Sequence, residues 1–350
     1  MNILAFSQYE RADWVRLGCL VAAILLPFTP LANEYVLHTC ILIFLYMILA
    51  LGLNVVPGFN GLLDLGYVGF YGIGAYTAGL LTVHYGLSFW VILPLAAING
   101  AIWGVLLGAP TLRLTGDYFA IVTFGFSELV VLFITNETWL TRGPLGLPGI
   151  DPPSIDLSWL GGPVIWLEGD SLGVYYLVMA LVLVTLFVMY RIQNSRLGRA
   201  WFAIRDDELA AVSCGINLLV YKVIAFAISA AFGAVAGAFY ARWVTVISPD
   251  AFLFWESFFI LCMIVLGGLG NIWGVMLGAA ILVSLGEVLR EILPLLGLPE
   301  NSRFLFYGLL MVVMMRLRPA GMLPIAAVAA QMKTTSKRRL AWFKKKGSAA

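Results

Sequence analysis

The residues of this chain best placed to do chemistry are a few polar side chains set among apolar ones. Glu128 stands in FGFSELVVLF with no basic neighbour at helical spacing. A charge at the bilayer centre costs about 2.5–3.5 kcal/mol on insertion scales, so such a carboxylate is protonated, paired across helices or turned toward water. A second set lies in PGFNGLLDLGYVGFYGIGAY. There Gly66, Gly69 and Gly72 recur every three residues among Tyr67, Phe70, Tyr71 and Tyr76, with Pro57 and Asp64 at the entrance. Glycines so placed let helix backbones approach closely, or let a helix break where it lines a cavity. Asp64, Gly66, Gly69, Tyr71, Gly72 and Glu128 are therefore the candidate residues of a translocation path, with close packing an equal explanation of the glycines. Glu256, Glu287 and Arg290 fall near expected span ends, where hydration suffices, and Glu287 and Arg290 are three apart, able to pair along a helix.

A third set is the polar island RIQNSRLGRAWFAIRDDELAAVSCGINLLVYK, Arg191 to Lys222. It sets Arg191, Arg196, Arg199 and Arg205 beside Asp206, Asp207 and Glu208. Asp206 to Cys214 has helix-forming composition, and Gly215 suits the residue just past a helix end. Such a surface helix can pass a push from a soluble partner into a membrane bundle, although the charge pattern alone fits an ordinary solvated loop.

Catalytic chemistry finds no residues to carry it. No glycine is followed by lysine, which excludes a GxxxxGK[ST] phosphate loop, and HExxH, GxSxG and CxxC are all absent. Cys19, Cys40, Cys214 and Cys262 are scattered, as are His38 and His84, so no metal site is expected. If ATP drives this protein, another chain binds it.

The elements that must position these residues are membrane helices. Of 350 residues 61% are hydrophobic and 11% charged, with a mean hydropathy of +0.95, against about 25% charged in soluble domains. A spanning helix needs about 20 mainly apolar residues. That rule gives an all-α polytopic protein of ten spans, roughly 17–32, 35–56, 62–83, 89–110, 118–135, 172–191, 220–244, 255–270, 273–292 and 303–318. The run Leu17 to Leu31 reads as a retained first span after a cytosolic segment 1–16. With both termini inside, only Arg142, Arg242, Arg290 and Arg303 of the 21 Lys and Arg fall on or near the outer face. The loop 136–171 is then external and acidic, the loop 192–219 cytosolic, and 319–350 a basic cytosolic tail lying on anionic lipid headgroups rather than on nucleic acid. The island lies between the sixth and seventh spans, which permits two inverted halves of five.

Five stretches carry a resemblance: GLNVVPGFNGLLDLGYVGFYGIGAY (52–76), LRLTGDYFAIVTFGFSEL (112–129), SRLGRAWFAIRDDELAAVSCGIN (195–217), LCMIVLGGLGNIWG (261–274) and YGLLMVVMMRLRPAGMLP (307–324). Together they resemble the LivM-type permeases of branched-chain amino acid ABC importers. Related permeases of the cobalamin importer type likewise have ten spans with the coupling loop between the sixth and seventh. The resemblance implies a permease subunit, with no catalytic residues, that moves leucine, isoleucine and valine or related amino acids across a bacterial inner membrane by alternating access. Glu208, Ala210, Ala211 and Gly215 match the loop by which such permeases dock an ATPase, with Arg199, Arg205 and Asp207 beside them. The implied partners are a LivH-like sibling permease, two ATPase subunits and an external substrate-binding protein. The chain itself binds no cofactor, ATP and magnesium being used by the ATPase.

Three departures stand out. Val131 replaces an arginine common three residues after Glu128, the external run reads Thr141, Arg142, Gly143, Pro144, Leu145, Gly146, and Gly286 replaces a proline before Glu287. The first two touch the path and the binding-protein face, so importers of urea or other small polar solutes are an alternative. An ion-coupled secondary transporter also fits the span count.

Overall fold

A computed structural model of the chain describes residues 18, 23–28, 33–111, 117–156, 164–167, 169, 171–295, 297, 299, 302–318 and 321–323. The segment 1–16, most of the expected first span, Arg113 and the tail apart from 321–323 lie outside the described residues.

The architecture is a bundle of helices: α1 (Glu34–Leu53), α2 (Tyr67–Tyr85), α3 (Phe89–Thr111), α4 (Asp117–Asn136), the short α5 (Thr138–Thr141), α6 (Leu172–Gln193), α7 (Arg196–Asp206), α8 (Glu208–Ser213), α9 (Leu218–Val244), α10 (Phe254–Gly267), α11 (Ile272–Leu295) and α12 (Arg303–Leu317). Seven units among the described residues are long and apolar enough to cross a membrane, namely 34–60, 89–111, 118–136, 172–193, 218–244, 249–267 and 272–295. The expectation of ten is thus met only in part. The first span lies mostly outside the described residues, and α12 has 15 residues. Helix α2 forms over 19 residues, but glycines and tyrosines dilute its apolarity, and most of it is sheathed by protein rather than lipid.

Helix α9 is the axis of the bundle because its face is made of small residues. A Cβ at Gly100 of α3 would lie 2.5 Å from the Ala234 Cβ, and one at Gly104 2.7 Å from that of Ala230. Gly74 of α2 sits against the Ala234 backbone, and Gly237 of α9 against the Tyr71 carbonyl. In lipid no hydrophobic force drives helices together, so association rests on backbone approach of this kind.

Two breaks interrupt the bundle at one end. After α1 the chain makes a wide π-turn, Val55–Asn60, where Pro57 supplies no N–H; Gly61 at φ +77° then leaves it for the extended run to Gly66. Between α10 and α11, Gly268 and Gly270 turn the chain at φ +116° and +85°, and Asn271 Oδ1 caps α11 by accepting from Trp273 N at 3.1 Å. The breaks are stitched together, Asn54 Oδ1 accepting from Gly270 N at 2.9 Å. At the opposite end buried Arg242 closes α9, donating to the Asp151 carbonyl at 2.8 Å and the Leu87 carbonyl at 2.7 Å. Leu147 bridges Ile247 there, and a two-stranded antiparallel ribbon pairs β1 (Ser154–Asp156) with β2 (Val164–Trp166).

Candidate coupling and path sites

The polar island folds as two short helices rather than one. Ser195 Oγ accepts from Leu197 N and Gly198 N and starts α7. Asp206 ends α7, and Asp207 turns to extended backbone, its Oδ1 accepting from Leu209 N (2.9 Å) and Ala210 N (3.1 Å) to start α8. The expected helix start at Asp206 therefore shifts to Glu208, because Asp207 is a better cap than helix interior. Gly215, at φ +82°, closes α8: Ile216 N donates to the Ala211 carbonyl (3.1 Å) and Gly215 N to that of Val212 (2.9 Å). That pair of bonds is the Schellman termination, which needs a left-handed residue at this place.

Helix α7 is seated on the break after α1. Trp201 is fully buried, donates Nε1 to the Tyr221 carbonyl at 2.8 Å and stacks on Phe59 with centroids 6.4 Å apart. Arg205 donates to the carbonyl of Gly58, and burial lowers the pKa of its guanidinium while neighbouring Asp206 raises it. Arg199 is exposed and donates to the Asn194 carbonyl. Helix α8 is tied to α9 by Lys222 Nζ, which lies 2.7 Å from Glu208 Oε1; Lys222 is 8% exposed and Glu208 48%. Ala211 packs inward, whereas Ala210, Leu209 and Val212 face outward, Leu209 being 82% exposed.

The path candidates are brought together only in part. Asp64 is buried, with Oδ1 accepting from Gly66 N at 2.8 Å and Oδ2 buried without a hydrogen-bond partner. Both side-chain polar atoms of Asn60 and the hydroxyl of Tyr67 are likewise buried and unpartnered. Gly66 and Gly69 let α2 approach α4, the first against the Thr123 backbone and the second against Phe126 and Ser127. Gly72 lies against Phe252, and Tyr71 packs on the Phe252 ring at 5.1 Å and on Tyr240 at 5.5 Å. Glu128 is apart from these, half-exposed on α4 with no hydrogen bond or ion pair among the described residues.

Residues 35–314 match the family described as branched-chain amino acid transport system / permease component. The chain belongs to that family. The high-affinity branched-chain amino acid transport system permease protein LivM of Escherichia coli (strain K12) is 41% identical over 329 residues, covering 90% of this chain and 75% of that one. Its Salmonella typhimurium (strain LT2) counterpart is 42% identical over 333 residues, covering 91% and 76%. The LivH permease protein of the E. coli system is 26% identical over 260 residues, covering 68% and 79%. No solved structure matches the chain significantly. The protein is a multi-pass membrane permease subunit, and its family is one of permeases rather than enzymes.

Within this permease fold, residue types alone did not reveal several partners. Lys222, Phe59, Trp201 and Asn54 hold α7, α8 and the breaks, yet each reads in sequence as an ordinary boundary or core residue. Only the spacing from Glu208 to Lys222 across a Gly turn gave a signal, since a short return brings a helix start beside the next helix.

Proposed function

We propose that this permease carries leucine, isoleucine, valine or related amino acids across the bacterial inner membrane as one half of an ATP-driven importer. The observation that carries the reading is α8. It is capped at both ends, tied to α9 through Lys222, and exposes Leu209 and Val212 to the aqueous side. Exposed apolar side chains on a rigid helix outside the spans suit a docking protein. The partner at that face is an ATPase, which uses ATP and magnesium, and residues Arg199, Arg205, Asp207, Glu208, Ala210, Ala211 and Gly215 form the coupling loop. Movement of α8 reaches the membrane through α7, since Trp201 and Arg205 grip the break at Gly58 and Phe59.

In this reading α7 and α8 are cytosolic, both termini are cytosolic, and the halves are inverted about the joined breaks at Asn54 and Gly270. The ribbon and Arg242 then face a substrate-binding protein outside. Glu128, ionisable and turned outward at mid-span, faces a solute path shared with a LivH-like sibling. Asp64, Gly66, Gly69, Tyr71 and Gly72 form the hinge of α2 beside it.

The test is to purify the tagged chain under mild detergent and identify its companions. A sibling permease and an ATPase should come with it, and Gly215→Arg should keep the chain inserted while uptake driven by ATP is lost. Recovery of the chain alone, active in proteoliposomes without ATP, would overturn the reading.

A further inference from the structure

At the bundle end opposite α7 and α8, helices α1, α10, α11 and α12 line a partly open cavity of about 130 Å³ that the coupling reading does not use. Its position follows from the chain: α10 runs from Glu256 in its first turn to the break at Gly268, which meets Asn54 at the α7 end. The sequence places Glu256 and Glu287 near span ends, and the fold leaves both partly exposed there while giving each a tyrosine partner. Glu256 accepts from Tyr46 Oη at 2.8 Å across two helices, and Glu287 from Tyr35 Oη at 3.1 Å; Tyr35, rather than Arg290, is its described partner. Both carboxylates line the cavity. So does Arg303, held over the Phe304 ring at 5.3 Å rather than closed onto either acid. Opposite charges thus share one cavity while each is held by an aromatic neighbour, and Val283, Phe259 and Leu42 supply an apolar wall.

The cavity depends on Gly286. A Cβ there would collide with the hydroxyl of Tyr307, which lines the same space, so any side chain at 286 displaces Tyr307. The volume is below the ~300 Å³ where drug-sized sites begin. It suits a small solute carrying both charges.

We propose that this cavity is an entry subsite for a small zwitterionic α-amino acid, Arg303 receiving the carboxylate and the Glu256 and Glu287 wall the ammonium. The proposal rests on the amino-acid importer reading and adds that the membrane chain itself recognises the two charged ends. Trp255 lines the cavity and is 55% exposed, so its fluorescence reports occupancy.

The experiment titrates the purified permease and ATPase complex in nanodiscs with L-leucine, leucinamide, which lacks the carboxylate, and 4-methylpentanoate, which lacks the ammonium. L-Leucine should give a saturable change that Trp255→Phe removes, and each analogue should bind at least about tenfold more weakly, ~1.4 kcal/mol. Arg303→Gln should weaken L-leucine about tenfold and leave leucinamide unchanged. Gly286→Ala should weaken binding, and adding Tyr307→Phe should restore it by removing the colliding hydroxyl, which separates a lost subsite from a lost fold. Equal response to all three probes, or none to L-leucine, would overturn the subsite. Proteoliposomes carrying the same complex, with its binding protein inside the assay, distinguish the failures. ATP-driven leucine uptake without a Trp255 response refutes the subsite alone, and absence of both refutes the importer reading as well.

Discussion

Gly215 offers a sharp test of how α8, the proposed coupling helix, is built. A Cβ at this position meets nothing within 4 Å, so substitution acts through the backbone alone. At φ +82° an L-residue with a Cβ costs about 1–2 kcal/mol, a factor of 5–30 in population. Helix α8 has six residues and no intrinsic stability to absorb that loss, because isolated helices below ~12 residues are marginal. Gly215→Ala should therefore lower the fraction of docked loops and reduce ATP-driven uptake several-fold, with the ATPase activity of the complex less tightly coupled to substrate. Gly215→Asn should lose much less, since asparagine tolerates the left-handed region, and Gly215→Val should lose most. Uptake and ATP hydrolysis are measured together in proteoliposomes, with expression and insertion checked by membrane fractionation. If Ala, Asn and Val perform alike, the Schellman closure has no part in coupling.

Three other outcomes follow from particular contacts. Glu208→Ala should destabilise the coupling loop more than Lys222→Met, because it strands a cation that is 8% exposed, whereas the half-exposed carboxylate can rehydrate. Limited proteolysis after α8 would show this, and the reverse order would count against the tie. Gly74→Val should abolish folding by forcing α2 away from the Ala234 backbone, whereas Gly125→Ala, with open space around it, should be silent in expression and thermal melts. Glu128→Gln should slow uptake, since the carboxylate faces the proposed solute path, and an unchanged rate would leave it without a role in transport.

Much of the protein was legible in its sequence for a physical reason. Apolar runs long enough to cross a bilayer announce themselves, because the lipid leaves backbone polar groups no partners outside the helix. Local chemistry was equally plain at Gly215, which could be read as the end of a helix. The start of α8 moved by two residues because Asp206 and Asp207 are both acidic, and only the turn between α7 and α8 selects which one caps. Helix α2 was recognised by its glycines, but what they approach was open. In the structure they bring α2 against α4, α9 and Phe252, each contact made by a residue distant in sequence.

The sequence by itself determined the membrane class and most of the spans, both of which depend on neighbours a few residues apart. Only the tertiary structure decided where the charges go. It gave the partly exposed Glu256 and Glu287 tyrosine partners on α1 and set both beside Arg303 and Gly286 around one cavity, and it tied Arg205 to Gly58 and Lys222 to Glu208. A buried charge is stabilised by whatever the fold brings within hydrogen-bond reach, and that partner lies on another helix, at a separation the local pattern does not encode.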